Sequence, residues 1–324
     1  MAKQSKYHSK TPGPGGIIQW SAEENRVWKA LYDQQMALLP GRACDEYFHG
    51  LELLGLQPDV IPQLPDIDRA LQAATGWQTA AVPALISFAE FFELLANKRF
   101  PVATFIRSEE DFHYLQEPDI FHEVIGHCPL LTNPAFAKFT ETYGKLGLAA
   151  SKEDRVFLAR LYWFTVEFGL VKQHDGLRIV GGGILSSPKE TQYALESDVP
   201  VRRDIMVTDV LRTPYRIDIL QPLYYILENF DQLLDISEMD LMALVQEAKQ
   251  LMLSTNNMLS PSSGEPIVAP TLDMVFGCYY LTTEISGALG EDSRYNTFEE
   301  ALMAYENKLV DLRAPVLIRQ SSIG

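Results

Sequence analysis

The feature that most constrains this chain is the stretch DIFHEVIGHCP, Asp119 to Pro129, together with Glu167, which follows His122 by 45 residues in the apolar run Val156 to Val171. Two histidines and one carboxylate in apolar surroundings form the ligand set of a mononuclear non-haem Fe(II) site. Such a set fills one face of an octahedron and leaves the other open for oxygen and substrate. A lone His122 would more often be a hydrogen-bonded core histidine, and the three residues together carry the metal assignment. The zinc-protease pattern His-Glu-x-x-His sets its histidines four apart, about 40° round a helix. His122 and His127 are five apart, about 140° on an α-helix. Both reach one metal if the helix ends at His127, and Cys128-Pro129 predicts that end, because the residue before proline disfavours the α region.

Glu167 is reached independently. Ser151-x-x-Asp154 reads as a helix N-cap with an acidic partner at N3. The segment that follows, VFLARLYWFTVEFGLV, is apolar all round, which predicts a mostly buried helix. A buried, unpaired carboxylate is costly, and a metal removes the penalty. The competing reading is an ion pair with Arg155 or Arg160; Arg160 lies seven residues before Glu167, too far for neighbours on a helix.

Coarsely, the chain reads as helices with short strands. Ser21-x-x-Glu24 opens a helix through about Leu39. Gly41 to Leu54, Asp66 to Leu71 and Phe88 to Asn97 read as helices, and Ser237-x-x-Asp240 caps another through about Leu253. The triplet Gly181-Gly182-Gly183 calls for close backbone approach or unusual φ; it lacks the lysine of a phosphate loop. The net charge of −16, from 43 acidic and 27 basic residues, argues against nucleic acid or an anionic membrane as partner. Cys44, Cys128 and Cys278 show no CxxC pairing and predict reduced thiols in a cytoplasmic protein. No apolar leader and no run long enough to span a membrane is expected.

From about Tyr7 to about Glu247 the chain resembles the pterin-dependent aromatic amino acid hydroxylases, and among them the short bacterial phenylalanine 4-monooxygenases. The resemblance rests on FPVATFIR (Phe100 to Arg107), LQEPDIFHEVIGHCPLLTNPAFAKF (Leu115 to Phe139), RLYWFTVEFGLV (Arg160 to Val171), GGGILSSPKE (Gly181 to Glu190) and RTPYRIDILQPLYY (Arg212 to Tyr225), in family order. It implies a mainly α fold with short β-strands, the hydroxylase catalytic fold, over residues 17–247, preceded by a flexible arm at 1–16 and followed by an appended C-terminal tail at 248–324. It implies that His122, His127 and Glu167 hold iron and are the catalytic centre. Arg107 would grip the substrate carboxylate, a task suited to a planar charged fork. Trp163 and Phe168 would wall the substrate ring; Ser186 and Glu190 would support the iron histidine and the substrate site. Phe91 would stack on the pterin, with Glu123 and Tyr162 as polar groups near the pterin and the oxygen site. Where the animal enzymes carry a threonine and a proline, Leu115-Gln116 stands here, so the threonine's substrate contact is not carried over.

The resemblance implies hydroxylation of L-phenylalanine to L-tyrosine with O2, Fe(2+) and tetrahydrobiopterin or another tetrahydropterin. Tryptophan or tyrosine hydroxylation at the same site is the alternative, because pocket shape separates such substrates by only ~1–3 kcal/mol. It also implies no N-terminal regulatory domain.

After about Gln246 a second resemblance begins. EAKQLMLSTNNMLSPSSGEPIVAPTLDMVFGCYYLTTE is similar to a segment of the largest catalytic subunit of RNA polymerase, without that subunit's aspartate loop. The join falls near Val245 to Leu251, and the chain reads as a fusion. Ser254 to Thr271 predicts a loop. Thr297-x-x-Glu300 predicts a capped helix with Phe298, Leu302, Tyr305, Leu309 and Leu312 on one face. That stripe needs a partner surface, which makes a protein-interaction module the second alternative; the partner is not named by these residues.

Overall fold

Capping residues decide where most helices of the N-terminal part begin. The computed structural model describes residues 7–83, 86–112, 117–252 and 272–319, and the chain divides into two compact units, Met1–Met252 and Leu253–Gly324. Helix α1 (Ala22–Leu38) opens on the full capping box expected at Ser21, whose hydroxyl accepts from the Glu24 amide while the Glu24 carboxylate accepts from the Ser21 amide. Helix α2 (Asp45–Leu54) starts at Asp45 rather than at Gly41. Gly41 instead makes a turn at φ 74°, and the Cys44 amide donates to the Ile179 carbonyl, so this stretch is committed to a bridge, not a helix. Helix α3 (Leu64–Ala74), with Pro65 in its first turn, extends the expected Asp66 to Leu71 at both ends. Strand β1 (Gln78–Val82), helix α4 (Phe88–Ala96), capped by Ser87, and strand β2 (Arg99–Ala103) follow, with β1 and β2 paired in parallel.

Asn133 caps α5 (Pro134–Ala149) and Ser151 caps α6 (Lys152–Tyr162). The single buried helix expected over Val156 to Val171 is corrected. The α-helix ends at Tyr162, a π-helical turn covers Trp163–Glu167, and the chain leaves as strand β3 (Leu170–Gln173). Val156 is 54% exposed, because only one side of α6 faces the core. Strand β4 (Gly176–Ile179), helices α7 (Gly182–Leu185) and α8 (Pro188–Glu196), strand β5 (Val201–Asp204), helix α9 (Val207–Arg212) and strand β6 (Leu223–Leu227) complete a sheet of order β4-β3-β6-β5. The β3–β4 hairpin is antiparallel and the other two pairings are parallel.

Helices α10 (Asp231–Glu238) and α11 (Leu241–Met252) close this unit. The cap of α11 is Asp240, whose carboxylate accepts from the Ala243 amide; Ser237 lies inside α10 and donates to the Leu233 carbonyl. Val245 and Ala248 of α11 are buried, and Lys249 pairs with Asp154 at 2.8 Å. The core holds Trp28, Tyr47, Trp77, Phe121, Phe136 and Phe139, all fully buried. At roughly 1.5–3 kcal/mol for each large apolar side chain, this burial dominates the folding free energy. The described part of the N-terminal arm makes contacts with the first unit. Tyr7 stacks on Phe105 at 4.9 Å, and the Lys10 amide and carbonyl both bond Thr104.

The second unit contains α12 (Leu272–Thr282), β7 (Arg294–Tyr295), α13 (Phe298–Glu306) and β8 (Leu317–Ile318), the two strands parallel. Thr297 caps α13 as predicted. The helix stops at Glu306, so Leu309 and Leu312 are not part of its face, a correction to the expected stripe. Phe298, Leu302 and Tyr305 are exposed. The predicted loop Ser254 to Thr271 and the pair Leu115-Gln116 lie outside the described residues. Among the described residues, no helix is long and apolar enough to cross a membrane.

Candidate metal and substrate site

His122 and His127 meet because of how the chain winds between them. From His122 to His127 the backbone is a π-helix, whose i→i+5 hydrogen bonds widen the turn and bring positions five apart onto one side. The expected helix end at His127 is corrected. Cys128 (φ −59°, ψ −37°) and Pro129 (φ −60°, ψ −43°) both keep right-handed helical conformations, so the widened turn, not a break before proline, aligns the rings. Their Nε2 atoms stand 3.2 Å apart. From α2, the buried Tyr47 hydroxyl donates to the Ile125 carbonyl at 2.9 Å and braces the turn.

A second π turn places the carboxylate. The Phe168 amide donates to the Trp163 carbonyl five residues back at 2.8 Å, and the Thr165 hydroxyl takes the Leu161 carbonyl at 2.6 Å. Glu167 ends this turn with Oε1 3.4 Å from His127 Nε2 and Oε2 3.8 Å from His122 Nε2. Arg155 and Arg160 make no pair with it: Arg155 donates to the Gly147 and Leu148 carbonyls, and Arg160 to the Leu211 carbonyl. Ligands at about 2.1 Å on adjacent octahedral corners stand about 3.0 Å apart. Separations of 3.2, 3.4 and 3.8 Å therefore suit three ligands on one face.

The surroundings prepare these atoms. Nδ1 of His122 is 2.8 Å from the Ser186 hydroxyl, which spends its own hydrogen on the Gly182 carbonyl. Ser186 therefore accepts from Nδ1–H, and Nε2 is left as the basic nitrogen. Burial lowers the His122 pKa to about 4, keeping the ring neutral as metal binding requires. Burial would raise the Glu167 carboxyl; the His127 ring, then His122, outweigh it and hold the group below the usual carboxylate range. The glycine triplet serves close approach, since none of the three has positive φ. A Cβ on Gly182 would stand 2.3 Å from His127 Cε1, and one on Gly181 2.2 Å from the Glu167 carbonyl oxygen. A second carboxylate, Glu123, lies within 4.8 Å of the histidine nitrogens, and burial pushes it well above its ordinary value. Of the two, Glu167 presents an oxygen to each ring nitrogen.

Trp163 lies between Phe168 at 4.5 Å and Tyr215, stacked at 4.4 Å. Its indole N–H donates to Gln221 Oε1 at 3.0 Å. Gln221 donates in turn to the Arg216 and Ile219 carbonyls, and its amide to the Glu190 carboxylate. Tyr224 also donates to Glu190, whose carboxyl burial pushes up. Phe91 meets Tyr162 edge-on at 5.6 Å. Arg107 is joined to the metal turn through Asp119, which is fully buried and accepts from Arg107 Nε at 2.8 Å, from Nη2 at 2.9 Å and from the His122 amide at 3.0 Å. Sequence reasoning missed Asp119, Gln221, Tyr215 and the ring contact of Gly182. Only Asp119 carried a local signal, an acidic residue three before the amide that it accepts from.

Two histidines and one carboxylate thus converge as a candidate site for a single metal ion. The chain belongs to the biopterin-dependent aromatic amino acid hydroxylases, the family that matches residues 2–248. It is 59% identical over 249 residues to a phenylalanine-4-hydroxylase of Pseudomonas aeruginosa, covering 77% of this chain and 95% of that protein. It is 56% identical over 246 residues to one of Vibrio cholerae, covering 76% and 85%. The solved apo structure of the cold-active phenylalanine hydroxylase from Colwellia psychrerythraea 34H is similar at TM-score 0.74 and 56% identity, over 76% of this chain and 95% of that one. That of phenylalanine hydroxylase from Chromobacterium violaceum bound to cobalt is similar at TM-score 0.71 and 42% identity, over 81% and 91%. Residues 257–324 match RNA polymerase Rpb1, domain 3.

Proposed function

We propose that this chain hydroxylates L-phenylalanine to L-tyrosine with O2, a tetrahydropterin and Fe(II), held by His122, His127 and Glu167. The observation that carries the reading is the convergence of these three side chains within 3.2–3.8 Å. The relatives at 59% and 56% identity, both phenylalanine-4-hydroxylases, support phenylalanine as substrate. The buried, unpaired thiols of Cys44 and Cys128 support the cytoplasm as its compartment.

The bound iron and the reduced pterin supply oxygen activation and two electrons; the protein positions and shields. Ser186 holds the His122 ring by its Nδ1–H. Asp119 occupies the Nε–Nη2 edge of Arg107, which leaves the Nη1 edge of the fork for the amino acid's carboxylate. Trp163 and Phe168 provide the apolar wall for the substrate ring, with Trp163 fixed by Gln221 and backed by Tyr215. Glu190 anchors Gln221 from behind. Phe91 and Tyr162 give the aromatic face for the pterin, with Glu123 as the neighbouring polar group.

The test is tyrosine formation from phenylalanine by the iron-loaded full chain with a tetrahydropterin, beside parallel assays with tyrosine and tryptophan. Preferred turnover of tyrosine or tryptophan would move the assignment to the sister activity. No turnover of any of the three would remove it.

A further inference from the structure

Arg107 lies outside helix and strand, between the end of β2 at Ala103 and a 3-10 turn over Glu109–Asp111. A stretch of this kind takes its position from the bonds its neighbours make to it. One set of bonds comes from Asp119, which takes the Arg107 amide as well as the guanidinium. A second set comes from the N-terminal arm and meets the stretch on both sides of Arg107. Before it, the Lys10 amide donates to the Thr104 carbonyl at 2.9 Å, and the Thr104 hydroxyl donates back to the Lys10 carbonyl at 2.7 Å. The Tyr7 ring stacks on Phe105 at 4.9 Å, the planes 18° apart. After Arg107, the Tyr7 hydroxyl accepts from the Ser108 amide at 3.1 Å and donates to the Asp111 carboxylate. One side chain thus spans the arginine, ring on one side and oxygen on the other. The arm is tied in turn to the start of α1. The Lys10 ammonium pairs with Glu24, donates to the Gln19 carbonyl at 2.8 Å and lies 4.9 Å over the Trp20 ring.

A two-pronged bond to a carboxylate works only when the guanidinium is held in place, and a misplacement of about 1 Å can cost roughly 100-fold in rate. We propose that Tyr7 is a positioning residue for the amino acid substrate: it fixes the segment from which Arg107 reaches the substrate carboxylate. The proposal rests on Arg107 being the carboxylate anchor. Phe91 and Tyr162, the aromatic face read as the pterin's, stand on α4 and α6, segments that these Tyr7 contacts do not touch. Loss of the hold should therefore weaken one substrate and spare the other.

The experiment measures kcat, KM for phenylalanine and KM for a tetrahydropterin on the iron-loaded full chain and its variants. Tyr7→Ala loses both the stack and the hydroxyl. It should raise KM for phenylalanine roughly five- to twentyfold, with kcat and KM for the pterin within about twofold of the parent. Tyr7→Phe keeps the stack and loses only the hydroxyl, and should raise the same KM about two- to fivefold. Tyr7→Ala combined with Arg107→Lys should raise it by less than the product of the two single effects, because both act through one guanidinium. An unchanged KM for phenylalanine in both Tyr7 variants overturns the proposal. So do equal rises for phenylalanine and the pterin, the mark of a merely structural role, and so do effects that multiply in full. Arg107→Lys alone tests the underlying reading. An unchanged KM for phenylalanine in that variant would remove the anchor itself, whatever the Tyr7 variants do.

Discussion

Asp119 grips Arg107 with both carboxylate oxygens, Oδ2 to Nε at 2.8 Å and Oδ1 to Nη2 at 2.9 Å, and the same Oδ1 takes the His122 amide at 3.0 Å. Burial opposes both charges, yet each stabilises the other: the Asp119 carboxyl is held below its ordinary range by the Arg107 guanidinium despite the burial that would raise it. The proposed substrate anchor and the first proposed metal histidine are thus set by one side chain.

Arg107→Lys should raise KM for the amino acid roughly ten- to a hundredfold, because a charged two-pronged bond is reduced to a point charge. KM for the pterin should change much less. Steady-state kinetics with each substrate varied in turn checks this, and equal effects on both would make Arg107 a structural residue. Asp119→Ala should lower stability by roughly 3–5 kcal/mol, since it strands a buried guanidinium; urea denaturation measures it.

Loss of a ligand and loss of its support should differ in degree. Glu167→Gln or His122→Ala should abolish hydroxylation and iron retention with the far-ultraviolet circular dichroism unchanged, because each removes one of three protein ligands. Ser186→Ala leaves His122 in place but frees its Nδ1–H, and should weaken iron binding about 10- to 100-fold. Competition against a chelator reads this directly. Full iron affinity in Ser186→Ala would mean that the 2.8 Å bond does not set the ring.

Gly182→Ala tests the approach of the glycine triplet. The added Cβ meets the His127 ring at 2.3 Å, so the ring or α7 must move. The expected result is loss of iron stoichiometry with a stability decrease of roughly 1–3 kcal/mol from overpacking. Crystallography of the variant with unmoved His127 and full iron would contradict the assignment of this contact.

The candidate ligand residues were legible in sequence because they are chemically distinctive: His122, His127 and a carboxylate buried at position 167. The backbone that brings them together was not. A π turn is a change of hydrogen-bond register within helical φ and ψ, and no residue type marks it. Pro129 suggested a helix end, yet Cys128 stays helical ahead of it. Capping at Ser21, Ser151 and Thr297 was legible because each pairs a hydroxyl with an amide three residues on. Gln221 and Tyr215 were not, since they reach Trp163 across more than 50 positions, and only the folded chain gives them that partner. Arg155 and Arg160 were weighed as partners for Glu167, whereas they bond carbonyls on α5 and α9.

The end of α11 decides where the catalytic unit can be cut. The family match stops at residue 248, yet the helix runs to Met252, and its buried Val245 and Ala248 and the Lys249–Asp154 pair belong to the first unit. A chain stopped after Met252 should therefore keep hydroxylase activity within a few-fold and most of its thermal stability. One stopped after Asp240 loses the helix and bares the apolar surface beneath it. Burial of Leu241, Val245 and Ala248 together is worth several kcal/mol, about 0.8 kcal/mol for each CH₂ group, a large share of a typical domain's stability. The shorter product should melt well below the longer one or aggregate. Calorimetry and turnover on both products check the pair. An inactive or insoluble product of the Met252 stop would show that residues 253–324 are needed by the catalytic unit, and equal stability of the two products would show that α11 is dispensable.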